Sequence, residues 1–150
     1  MAQINKANEY FNTVLYTGDG TTSNAITGVG FQPDLVWLKN RSAIAGHQLS
    51  DAVRGKSGTN YYSLSSDTTA AQAVQGDNDG LNTLGSDGFT VGYTNSTGWN
   101  NSGNNYVSWN FLAGGTGSSN TDGTITSTVS ANTTSGFSIV SYTGNGNAAS

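Results

Sequence analysis

Apolar residues return at every second position through most of this chain. At residues 105–113 the order NYVSWNFLA sets Val107, Trp109 and Phe111 on one side of an extended strand and Tyr106, Ser108 and Asn110 on the other. At 10–17 the same period puts Val14 and Tyr16 on one face. In GVGFQPDLVWLKNR (28–41), Leu35, Trp37 and Lys39 alternate with Val36 and Leu38, and Pro33 sits at the strand entry, where its missing N–H does least harm. HQLSDAV (47–53) sets His47, Leu49, Asp51 and Val53 against Gln48, Ser50 and Ala52. NYYSL (60–64) and SDGFTVGY (86–93) read as further strands, the second opened by an Asp-Gly turn. TTAAQAV (68–74) is the one stretch with a helical pattern, a turn too short to stand alone. About seven short strands with turn chemistry between them predict an all-β fold, an antiparallel β-sandwich of jelly-roll type. Its expected core is Val14, Tyr16, Leu35, Trp37, Leu49, Val53, Phe89, Val91, Val107, Trp109 and Phe111.

Composition supports strands over helices. Glycine contributes 21 of 150 residues, twice the usual share, and Gly, Ser, Thr and Asn favour turns or strands over helix interiors. Charged residues are only 9%, against roughly 25% in ordinary domains. The fifteen Trp, Tyr and Phe residues distinguish the chain from a disordered polar tract. With a net charge of −4 and five scattered basic residues, no basic stripe is available to neutralise phosphates, so nucleic acid is not an expected partner. No apolar run approaches a membrane span, and no membrane contact is expected. There is no cysteine, hence no disulfide framework or thiolate metal site, and no cofactor is expected.

One phrase occurs twice. FNTVLYTGDG at 11–20 returns as FSIVSYTGNG at 137–146, with Phe, Val, Tyr, Thr and both glycines kept and Asp19 answered by Asn145. The offset, 137 minus 11, is 126 residues, room for one domain between the two starts. The expected organisation is an N-terminal arm (1–9), a sandwich (10–113), a Gly/Ser linker (114–123) and the opening strands of a second, incomplete copy (124–150). Lacking the rest of its sandwich, that second opening belongs to a longer natural chain or pairs with another subunit.

The series YFNTVLYTGDG, GVGFQPDLVWLKNRS, HQLSDAVRG, GSDGFTVG and YVSWNFLAGG resembles the repeated domain of bacteriophage virion proteins common in marine phages. Those domains have a concanavalin-A-like or laminin-G-like sandwich. The resemblance runs over about residues 8–150 and rests on strand cores and glycine turns. It implies a virion location and a non-enzymatic structural role, as a tail fibre or appendage that can attach to host-surface glycan, or as a capsid-decorating, cement or head-fibre protein. So low a charge leaves strand edges poorly protected, and a homo-oligomer is expected, a trimer or a multi-copy lattice. Residues 1–9 are expected to be ordered against another virion protein.

Candidate chemistry is sparse. GKS at 55–57 resembles a phosphate loop, but Ser50 stands where the first glycine is required, so a plain turn is expected. DNDG (77–80) starts like a calcium loop and lacks its closing Glu. His47, the sole histidine, shares a strand face with Asp51 without a nucleophile in a matching motif; Asp51 is expected to pair with Arg54 or Lys39. The loop GWNNSGNNY leaves two readings open. Trp99 with Asn100, Asn101, Asn104 and Asn105 combines an aromatic plate with fixed amides, the components of a glycan site. Alternatively, the asparagines make turns while Trp99 packs onto its own sandwich.

Overall fold

In a computed structural model of the protein, residues 6–94 and 98–146 are described. Residues 1–5, most of the expected arm, lie outside them. Among the described residues a 3₁₀ turn, Ala7–Glu9, precedes thirteen strands. These are β1 (Phe11–Thr17), β2 (Asn24–Thr27), β3 (Leu35–Asn40), β4 (Gln48–Asp51), β5 (Lys56–Ser57), β6 (Asn60–Tyr61), β7 (Ser63–Ser65), β8 (Gly80–Gly85), β9 (Gly88–Gly92), β10 (Asn105–Phe111), β11 (Ser118–Asn120), β12 (Ser127–Asn132) and β13 (Phe137–Tyr142). Every pairing is antiparallel. A central five-stranded sheet has the order β1-β10-β3-β4-β7, and three-stranded sheets β2-β9-β8 and β11-β12-β13 accompany it. The expected helical turn at 68–74 does not form. Ala73 instead exchanges two backbone hydrogen bonds with Ser63 (2.8 and 3.0 Å), satisfying groups that so short a helix would leave unpaired.

The sandwich core lies between the five-stranded sheet and β2-β9-β8. It contains Ile26, Val29, Phe31, Val36, Leu38, Leu81, Leu84, Phe89, Val91, Trp99 and Tyr106, with Val14 and Tyr16 packed against it. The expected placement of Val14, Tyr16, Phe89 and Val91 agrees with this, but for β3, β4 and β10 the face is reversed. Val36, Leu38, Tyr106, Ser108 and Asn110 point inward and are fully buried, while Leu35, Trp37, Leu49, Trp109 and Phe111 lie half-buried on the outer face. Val107 shares that outer face, and Val53 is half-buried in the turn after β4. The smaller, more polar inward set is tolerated because several of its polar atoms find partners, although Asn110 Oδ1 and Ser50 Oγ are buried without one. Asn110 Nδ2 donates to Asn12 O (3.1 Å) and Ser108 Oγ (3.0 Å), and Ser108 Oγ donates to Val14 O (3.4 Å).

The outer face exists because a third layer sits on part of it. Asp34, buried at the start of β3, accepts from the backbone N–H groups of Ala113 (2.8 Å) and Gly115 (3.2 Å) and turns the chain out of β10. The stretch expected to be a linker is therefore partly folded, since it contains β11. Gly114 donates its N–H to Ser130 Oγ (2.8 Å), and a Cβ there would lie 2.6 Å from Ala131 O, so only glycine lets the two segments approach. Phe137 stacks on Phe111 (5.0 Å), and Ile139 is buried.

Candidate functional site

The loop singled out for glycan binding is brought together, but its groups are spent internally. Trp99 is 2% exposed and belongs to the sandwich core, so its ring is not a surface plate. Its burial follows from the company it keeps. The Trp99 carbonyl accepts from the Tyr16 hydroxyl (2.7 Å), and Tyr16 stacks on Tyr106 (5.0 Å). Burial, with neighbouring Tyr106 adding to it, pushes the Tyr16 phenol well above its ordinary range, so it stays a neutral donor.

Asn100, fully buried, acts as a clip. Its Oδ1 accepts from Asp19 N–H (3.1 Å) and Asn24 Nδ2 (2.8 Å); its Nδ2 donates to Asp19 Oδ1 (2.7 Å) and Thr21 O (2.9 Å). Asn101 brackets the Tyr106 hydroxyl with its N–H (2.9 Å) and Oδ1 (3.1 Å). The Asn104 carbonyl accepts from Gly18 N–H (2.8 Å). Asn105, exposed, contacts Thr17 Oγ1 (3.1 Å), and its backbone N–H donates to Ser42 Oγ (2.8 Å). Gly18 is essential to this arrangement. A Cβ on it would stand 2.2 Å from Asn101 O, where no side chain fits. The asparagine-rich loop thus locks the turn after β1 onto the start of β10.

The remaining expectations resolve locally. Lys56 and Ser57 form the short β5–β6 hairpin, with Lys56 Nζ 4.9 Å from the centre of the Tyr61 ring. Among the described residues no three His, Cys, Asp or Glu side chains are grouped to hold a metal. No helix among them is long and apolar enough to cross a membrane. Asp51 pairs with Arg54 (2.6 Å) rather than with Lys39. His47 bonds to Lys39 instead (2.9 Å), so no His–Asp pair forms along β4.

That Lys39–His47 contact marks the region the sequence reading missed. On the outer face of the five-stranded sheet Trp109 lies opposite Trp37 (ring centres 5.4 Å apart), and Trp37 neighbours the His47 ring (6.1 Å). Beyond them the loop between β3 and β4 lines an open cleft of about 570 Å³, with Lys39, Arg41, Ser42, Ile44, His47 and Asp67 among its walls. Lys39 Nζ lies 2.9 Å from His47 Nε2, which ties the end of β3 to the residue before β4. A signal was present in the sequence. Of five Lys and Arg residues and one His, three fall within residues 39–47.

A family model described as a domain of unknown function, DUF7483, matches residues 6–150. The chain belongs to the DUF7483 family. No curated protein and no solved structure matches it. The DUF7483 match runs from the first sandwich through β11–β13, so the cleft, the asparagine loop and the third layer all fall within it.

Proposed function

We propose that this DUF7483 chain is a non-enzymatic structural and binding module of a bacteriophage virion, of the tail-fibre or appendage type. It builds length by stacking sandwiches and meets host-surface glycan. One observation carries the reading: the phrase that forms β1 and its turn returns in β13 without the surroundings it is written for. In the first copy Val14 and Tyr16 pack on the core, and Gly18 is pressed by the asparagine loop. In the second, Val140 and Tyr142 are 51% and 67% exposed, and nothing lies within 4 Å of where a Cβ on Gly144 would stand. The last glycine of each phrase nevertheless has nearly the same φ, +74° at Gly20 and +77° at Gly146.

A bare face of this kind suits the next sandwich of a tandem or oligomeric assembly. The other face of β13, Phe137 and Ile139, is already seated on the first sandwich. The N-terminal arm serves as the contact to another virion protein, and the assembled unit is a homo-oligomer, a trimer in the fibre reading. Antibody labelling of intact virions tests the proposal. Label at the tail in small fixed multiples supports it. Label following the head lattice replaces the appendage by a decoration or head-fibre role, and particles without label end the virion reading.

A further inference from the structure

Of the surface cavities among the described residues, one concentrates charge. The cleft beside the Trp37–Trp109 pair holds Lys39, Arg41 and His47 against a single lining carboxylate, Asp67. The other cations are committed: Arg54 to Asp51, Lys6 to Glu9 (3.1 Å) and Lys56 to the Tyr61 ring. The Arg41 side chain is exposed, and its backbone N–H, bonded to Asn105 O (2.8 Å), fixes its position at the end of β3. On a chain of net charge −4 this is a local positive pole on a surface that otherwise repels anions.

We infer that this cleft binds an acidic saccharide, one whose sugar ring carries a carboxylate or sulfate. The inference rests on the glycan-contact part of the proposed function and moves the contact from the Trp99 loop to the outer face of the five-stranded sheet. The chemistry is divided among named groups. The Arg41 guanidinium offers a planar fork of N–H donors, suited to a bidentate pair with a carboxylate or sulfate. Lys39 holds one donor on His47 and has two more N–H groups available. His47 and Ser42 line the cleft, within reach of ring hydroxyls, and Trp37, half-buried, neighbours the His47 ring (6.1 Å) at its edge. A volume of about 570 Å³ falls in the range of small-ligand sites and admits one or two sugar rings.

The test titrates the full chain at physiological salt with galacturonate trisaccharide, N-acetylneuraminic acid and a 6-sulfated galactose disaccharide, alongside neutral galactose trisaccharide and sodium sulfate. Binding is read by calorimetry and by the His47 ring resonances. At least one acidic saccharide binds more tightly than the neutral one and moves the His47 signals. Arg41→Gln weakens it about tenfold, the scale of one lost charge-assisted hydrogen bond, with the melting temperature unchanged. The inference is overturned if no acidic saccharide exceeds the neutral one, if Arg41→Gln binds as well as the natural chain, or if sulfate alone binds as tightly as the saccharides. These outcomes are independent of virion labelling, so a failed titration leaves the structural role standing, and unlabelled particles leave the titration result intact.

Discussion

Replacing Asn100 by alanine separates a structural loop from a ligand site. The side chain is fully buried and makes four hydrogen bonds, to the backbone and carboxylate of Asp19, to Asn24 and to Thr21. Each such bond contributes about 1 kcal/mol net. Water can reach the exposed Asp19 and Thr21 once the amide is gone, which returns part of the loss. We expect a destabilisation of about 3 kcal/mol, which for a chain of this size lowers Tm by about 6–12 °C. Differential scanning calorimetry of the two proteins measures it, and Asn105→Ala is the control, because the exposed side chain at the start of β10 should stay within about 0.5 kcal/mol. A loss below about 2 °C for Asn100→Ala, with the fold intact by circular dichroism, would refute the clip and return the asparagines to the pool of ligand groups.

Two carboxylates make stability fall in acid. Backbone N–H groups of Gly28 and Gly30 hold the Asp87 carboxyl below its ordinary value; at Asp19 burial acts upward but is outweighed by hydrogen bonds from Thr21 and Asn100. A depressed folded pKa contributes stability that is present above the unfolded value, about 3.9, and is lost as pH falls through the folded one. Thermal melts from neutral pH down to about 2.5 should therefore drop most steeply below about pH 4, and Asp87→Asn should flatten that drop. Phe137→Ala removes the ring stacked on Phe111; amide exchange should quicken in β12 and β13 while β3 and β10 keep their protection. If the bare β13 face drives self-association, Tyr142→Lys should shift sedimentation towards the monomer, and an unchanged distribution would remove that face from the assembly.

Much of the secondary structure was legible because strand periodicity is local. Alternation located β1, β3, β4, β9 and β10, and the Gly-Asp/Asn-Gly phrases marked the turns. The direction of burial was not legible on the central strands. In β3, Val36 and Leu38 alternate with Leu35 and Trp37, so both faces are apolar, and hydrophobicity alone favours the bulkier set. The bulkier set faces outward because the five-stranded sheet is covered on both sides, by β2-β9-β8 within and by β11-β12-β13 over part of the exterior. The same limit applies to the sites. Sequence placed Trp99 among asparagines, but only the stacking of Tyr16 on Tyr106 and the Tyr16–Trp99 hydrogen bond show that the ring belongs to the core. Lys39, Arg41 and His47 are close in sequence, yet the loop between β3 and β4 has to fold back before they line one cleft. Alternation divides a strand's residues between two faces, and only packing against another layer decides which face loses its water.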